Sequence, residues 1–216
     1  MNRALLRRMA LGTCLFGPVA TVMLTCPVGQ VHAGPALARN LARRVELWQR
    51  PARGTGLTAR YRLERSSSLL YEPLRTQGGL VFAPGSLELR DDERGGATTR
   101  LIGDALTIAA NDPALPANPA AVGDGAAGRR WLRDRLFALF AARDAQALLA
   151  DSHASVPRGP GMQIDLVPPR NHPARRQIRQ LRVRLEPDTG EVVALELTET
   201  SGDVVTLTLS EHQRPS

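Results

Sequence analysis

LRVRLEPDTGEVVALELTETSGDVVTLTL, residues 181–209, decides the fold of this chain. Leu181, Val183 and Leu185 alternate with Arg182 and Arg184. Val193, Leu195 and Leu197 alternate with Ala194 and Glu196, and Val205, Leu207 and Leu209 with Thr206 and Thr208. A period of two is that of a strand with one dry and one wet face. Asp188-Thr189-Gly190 and Ser201-Gly202-Asp203 leave room for tight turns but none for a crossover helix, so the three strands form an antiparallel meander.

The same period recurs upstream. Leu57, Ala59, Tyr61 and Leu63 alternate with Thr58, Arg60, Arg62 and Glu64; Leu80 and Phe82, then Leu87 and Leu89, repeat it. Residues 98–101 and 106–108 follow less cleanly, and Met162, Ile164 and Leu166 carry it up to Pro168. Between these strands the spacing is helical. Leu37, Leu41, Val45 and Trp48 line one face of a helix that opens at Pro35 and closes at Pro51 and Gly54. Trp131, Leu132, Arg135, Leu136, Leu139, Phe140 and Ala142 make a second, and residues 145–150 a short third. Alanine, proline and glycine fill 12 of the 18 positions in 111–128, which predicts a loop or flap. The sum is a mainly β, α+β chain: an antiparallel sheet of nine to eleven strands with three helices over one face. Twisted sheets of that size curl toward a barrel.

The 216 residues carry 28 basic and 21 acidic side chains, a net charge of +7, and every basic residue is arginine. A hydrophobic content of 43% excludes a largely disordered chain. Arg3, Arg7 and Arg8, the apolar stretch from Met9 to Cys26, and Val31-His32-Ala33 read as a secretory signal cleaved after Ala33. The mature domain is then 34–216, in the periplasm. It loses three arginines and no acidic residue, so 25 minus 21 leaves +4, too modest a charge to point to nucleic acid. Both cysteines, Cys14 and Cys26, fall in the signal segment, so no disulfide or cysteine metal site is expected. The alternative is that Cys26 is the lipid-acceptor cysteine at the start of a bacterial lipoprotein.

Catalytic signatures are missing. The mature chain has no Gly-x-Ser-x-Gly elbow, no His-Glu-x-x-His pair and no phosphate loop. His153, His172 and His212 are scattered. Gly123-Asp124-Gly125-Ala126-Ala127-Gly128 spells a dinucleotide fingerprint, but no strand precedes it. Asp91, Asp92 and Glu93 are clustered next to Gly95-Gly96, as in a solvated hairpin turn. No enzyme, cofactor or metal is therefore expected.

Four segments together resemble the LolA-type outer-membrane lipoprotein carriers. They are Gly78-Gly79-Leu80-Val81-Phe82-Ala83-Pro84 running to Leu87-Glu88-Leu89; Leu101-Ile102-Gly103-Asp104-Ala105-Leu106; the helical residues 136–148; and Met162-Gln163-Ile164-Asp165-Leu166-Val167-Pro168, followed by Leu195-Glu196-Leu197 and residues 202–207. The resemblance spans residues 36–211 through order and spacing. It implies an incomplete, strongly curved antiparallel β-barrel whose hydrophobic cavity is covered by a lid of about three helices. Two departures stand out: Ala83 occupies the place of a family arginine implicated in lid closure, and the strand aromatic usual near Leu89 is missing.

What the resemblance implies is a non-enzymatic periplasmic carrier, a monomer that binds the acyl chains of a lipoprotein or other lipid-tailed molecule. It would take cargo from an inner-membrane release complex and pass it to an outer-membrane acceptor. Exposing a sixteen-carbon chain to water costs on the order of 12 kcal/mol, so a shuttle must enclose it. The expected cavity wall is Leu80, Phe82, Leu89, Ile164, Leu166, Val183, Leu185, Leu195, Leu197 and Leu207, and the expected lid is Leu136, Phe137 and Phe140. Core packing alone would place the same residues inside. Arg60, Arg62, Arg182 and Arg184 are expected on the outer face. A membrane-anchored receptor of the same fold, or a protein-binding domain with a filled core, are the other readings.

Overall fold

Each stretch with a period of two is a strand in the computed structural model, which describes residues 35–51, 56–93, 96–110, 118–119, 126–157 and 161–214. The expected signal segment, both cysteines and most of 111–128 lie outside the described residues. Strands β1 (Leu57–Ser66), β2 (Leu74–Ala83), β3 (Ser86–Asp91), β4 (Ala97–Ile102) and β5 (Ala105–Ala110) follow one another as antiparallel hairpins. The two-residue β6 (Asn118–Pro119) pairs with β5. On the other flank β7 (His153–Ser155), β8 (Met162–Val167), β9 (Ile178–Leu185), β10 (Val192–Glu199) and β11 (Val204–Gln213) form a second meander.

β11 returns to pair with β1, setting Leu63 opposite Leu207 and Tyr61 opposite Leu209. That pairing fuses the meanders into one eleven-stranded sheet in the order β6-β5-β4-β3-β2-β1-β11-β10-β9-β8-β7. The sheet curls but stays open, with β6 and β7 as its edges. Both edges are very short, and β6 contains a proline, which has no N–H to offer another chain.

Helices α1 (Pro35–Gln49), α2 (Ala126–Ala141) and α3 (Ala145–Leu149) bury Val45, Trp48, Trp131, Leu139, Phe140 and Leu148 in the same core as the sheet's inner side chains. Each fully buried leucine-sized side chain contributes about 1.5–3 kcal/mol, so this shared core ties helices to sheet. Asp144 starts α3, its carboxylate accepting from the N–H groups of Gln146 and Ala147 at 2.8 and 3.1 Å. A close backbone approach marks the sheet: a Cβ on Gly78 would lie 1.9 Å from the carbonyl oxygen of Arg90, so only glycine lets β2 lie against β3 there.

The structure departs from the sequence expectation in several places. Helix α2 ends at Ala141, because Ala142 adopts a left-handed φ of 49° and its N–H closes onto the carbonyl of Ala138. Within 111–128, Asn118–Pro119 is a strand and 126–128 already belong to α2. β7 and a 3-10 turn at Pro173–Arg176 were not foreseen. β9 begins at Ile178, and a register shift between Val192 and Ala194 turns both Val192 and Leu195 inward.

Candidate functional site

The inner face of the sheet is built from rows of facing side chains. Leu63, Leu207, Leu195, Val183 and Ile164 stand opposite one another across β1, β11, β10, β9 and β8. A neighbouring row runs Val205, Leu197, Leu181, Leu166 and Ala154. On the other flank Leu57, Phe82, Leu87 and Leu101 form one row, and Ala59, Leu80 and Leu89 the next. Leu185 sits between Val192 and Met162.

All thirteen residues expected to form wall and lid belong to this one apolar cluster. Leu80, Phe82, Ile164, Leu166, Val183, Leu185, Leu195 and Phe140 are buried; Leu89, Leu197, Leu207, Leu136 and Phe137 are partly buried against them. α2 lies directly on β2, with the ring centroid of Phe82 6.1 Å from that of Phe137 and 5.8 Å from that of Phe140, both pairs tilted. The inner face is thus packed shut against its helical cover.

Polar bonds fasten that cover at its ends. The indole Nε1 of Trp48 donates to the carbonyl of Leu139 at 3.0 Å, and Arg214 Nη1 donates to that of Phe140 at 3.1 Å while pairing with Glu191 at 2.9 Å. Gln49 Nε2 donates to the carbonyl of Arg143 at 3.1 Å. The first two occupy carbonyls that the end of α2 would otherwise leave unpaired, and the third ties α1 to the link between α2 and α3. At the start of α2 the N–H of Gly128 donates to Gln177 Oε1 at 3.1 Å, so the last glycine of the apparent fingerprint serves helix packing.

One long side of α2 is held more weakly. Arg133 reaches the turn between β4 and β5, where it pairs with Asp104, and it also pairs with its neighbour Asp134 at 2.6 Å. Asp104 is 75% exposed. Ala83, where the family arginine would stand, is exposed at the end of β2 and makes no such tie. Arg133 and Asp104 had not been singled out, since nothing in their spacing brings helix and hairpin together.

A buried cation braces α3. Arg135 is 4% exposed, donates to the carbonyls of Leu148 and Ala150, and lies 5.8 Å from the ring centre of Trp131. Burial pushes its guanidinium below the usual arginine value.

The other candidate residues have local roles. Tyr61, buried on the inner face, donates to Asp91, whose second oxygen accepts from the N–H of Ala97 at 3.1 Å. Burial first, then the bond to Asp91, raises the Tyr61 phenol far above its ordinary value. Asp92 pairs with Arg60 across the outer face, which holds its carboxyl below the usual range. The acidic cluster therefore ties strand ends together. His172 Nδ1 accepts from the N–H of Ala174 at 3.1 Å, and His212 Nε2 lies 2.9 Å from the carbonyl of Val192. Among the described residues no three His, Cys, Asp or Glu side chains could hold a metal ion.

On the outer face Arg182 bridges Asp165 at 2.8 Å and Glu196 at 3.6 Å, while Arg62 and Arg184 are exposed. A polar depression of about 350 Å³ lies there, lined by Arg62, Glu64, Arg75, Thr76, Gln77 and Glu93.

No protein-family model and no curated protein matches the sequence. Among solved structures, 81% of the chain aligns with 93% of a LolA superfamily protein from Nitrosomonas europaea, at 9% identity and a TM-score of 0.41. With the Mycobacterium tuberculosis lipoprotein LppX the figures are 85%, 98%, 14% and 0.44. With a chain of the Pseudomonas aeruginosa MucA/MucB complex they are 83%, 58%, 11% and 0.38. The LolA-type layout expected from the sequence, an open antiparallel sheet with helices over one face, is met by the chain's own strand order.

Proposed function

We propose that this chain is an exported, non-enzymatic carrier that takes acyl chains of a lipoprotein or another lipid-tailed molecule between the inner face of its sheet and α2. The observation that carries the reading is the way the cover is attached. Apolar rows run across an open sheet, and the helix over them is bonded at both ends, through the carbonyls of Leu139 and Phe140 and the N–H of Gly128, while its long side meets the β4–β5 turn through the single side chain of Arg133, paired with Asp104 and donating to the Gly103 carbonyl at 3.4 Å. A helix held at its ends and more weakly along this side can lift along that side and admit a chain beneath Leu136, Phe137 and Phe140.

The packed inner face is the closed state in this reading. Cargo would replace helix–sheet contacts with acyl–sheet contacts, one apolar surface for another. The site would be Leu80, Phe82, Leu89, Ile164, Leu166, Val183, Leu185, Leu195, Leu197 and Leu207 under that lid, in the periplasm, with delivery toward the outer membrane.

A second reading, a protein-binding domain with a permanently filled core, draws on the near-zero exposure of Ile164, Leu166 and Val183. Organic extraction of the protein purified from cells, followed by mass spectrometry, separates the two. The carrier reading expects co-purified lipid, and micromolar binding of an acyl-chain fluorophore that extracted lipid displaces. Absence of both would leave the filled-core reading.

A further inference from the structure

The β1–β2 hairpin ends in Ser66-Ser67-Ser68-Leu69-Leu70-Tyr71-Glu72-Pro73-Leu74, and its large apolar side chains face water. Leu69 is 92% exposed, Tyr71 fully so, Leu74 56% and Leu70 37%. Elsewhere on the described surface exposed large hydrophobics are scattered singly, at Val81, Ile102 and Ile108. Four within six residues on one protruding turn is a different pattern, because an exposed apolar cluster costs solubility and is retained for contact.

Three features of the tip select its occupant. The charges at its base already cancel: Arg65 pairs with Asp203 at 2.9 Å, and Arg75 with Glu64 at 3.0 Å. Glu72 has no ion-pair partner among the described residues, so the tip offers nothing to an anionic surface. The N–H groups of the two leucines are bonded within the turn, that of Leu70 donating to the carbonyl of Ser67 at 3.1 Å and that of Leu69 to Ser67 Oγ at 3.3 Å. Donors paired within the turn make it less costly for those two residues to enter a medium without water. Finally, two leucines beside a tyrosine combine an aliphatic wedge with a ring suited to the headgroup boundary.

We infer that the β1–β2 hairpin tip is a shallow membrane anchor, inserting Leu69, Leu70 and Tyr71 into an uncharged, zwitterionic bilayer. This holds whatever the inner face of the sheet carries, since the tip lies outside the core.

The chain's two tryptophans, Trp48 and Trp131, are 0% and 3% exposed, so Tyr71→Trp places a single exposed reporter at the tip. Mixed with phosphatidylcholine vesicles, the Tyr71→Trp protein shifts its emission to the blue and is quenched by lipids brominated on the acyl chain. Adding Leu69→Ser lowers vesicle affinity roughly tenfold while leaving the thermal midpoint unchanged. Raising the salt concentration has little effect. An unshifted, unquenched tryptophan, equal quenching with and without Leu69→Ser, or binding that requires anionic lipid and vanishes in salt would each overturn the inference.

Discussion

Arg135 shows how a single side chain can hold an element too short to stand alone. α3 has five residues, well below the length at which a helix is stable in water. The guanidinium of Arg135 bonds the carbonyls of Leu148 and Ala150 at its end and lies on Trp131. Replacing it by alanine takes this donor from both carbonyls, leaving that of Ala150 only its bond from Ser152 Oγ at 3.0 Å, and opens space beside Trp131. Arg135→Ala is expected to lose about 2–4 kcal/mol of stability in urea denaturation. Amide exchange should accelerate first in α3. Tyr61 makes the complementary case with a proton. Its folded-state phenol is raised above the ordinary value of 10.0 by burial, then by the bond to Asp91 and by that carboxylate's charge. The unfolded chain therefore releases the proton first as pH rises. The stability tied to Tyr61 is complete below pH 10 and is lost as pH climbs toward the raised folded value. Chemical denaturation at about pH 9 and about pH 11 should show a steeper loss for the wild type than for Tyr61→Phe. Equal losses would remove Tyr61 from the account.

At the scale of elements, the turn between β9 and β10 joins sheet to helix through Gly190. Its φ is 80°, and a Cβ there would lie 1.9 Å from the carbonyl oxygen of Leu47 near the end of α1. Gly190→Ala meets both a strained backbone and a backbone atom that cannot yield without moving α1. The expected cost is about 2–4 kcal/mol, read as a lowered denaturation midpoint. Trp48 fluorescence should change as α1 lifts. Elements of this kind divide by how well the sequence announces them. The long strands were legible because burial on one face writes a period of two, as in Leu57, Ala59 and Tyr61. β7 was not, since His153-Ala154-Ser155 is too short for a period and owes its place to pairing with Asp165, Leu166 and Val167. The thirteen residues expected as wall and lid could be read as inward positions, ten from the strand period and Leu136, Phe137 and Phe140 from helical spacing. Their fastenings could not. Trp48 lies 91 residues from Leu139 and Arg214 74 residues from Phe140, and only the closed fold brings them within bonding distance.

For the whole molecule, the consequence of a shut inner face is kinetic. Apolar side chains of sheet and helix already pack together, so in the proposed carrier cargo would have to wait for α2 to part from β2. Binding then has two steps, opening and capture, and at high ligand concentration opening alone limits the rate. Stopped-flow uptake of an acyl-chain fluorophore should accelerate with dye concentration and then level off. The plateau reports the opening rate. Asp104→Asn removes the ion pair that Arg133 makes at the weak side of α2 without touching an apolar contact. An exposed pair is worth about 0–1 kcal/mol, so the plateau should rise by no more than about fivefold, with dye affinity at most modestly changed. A rate that climbs linearly without a plateau would mean that the inner face is open in solution. A plateau that Asp104→Asn lowers would place the gate elsewhere along α2, with the bonds of Trp48 and Arg214 the next to test.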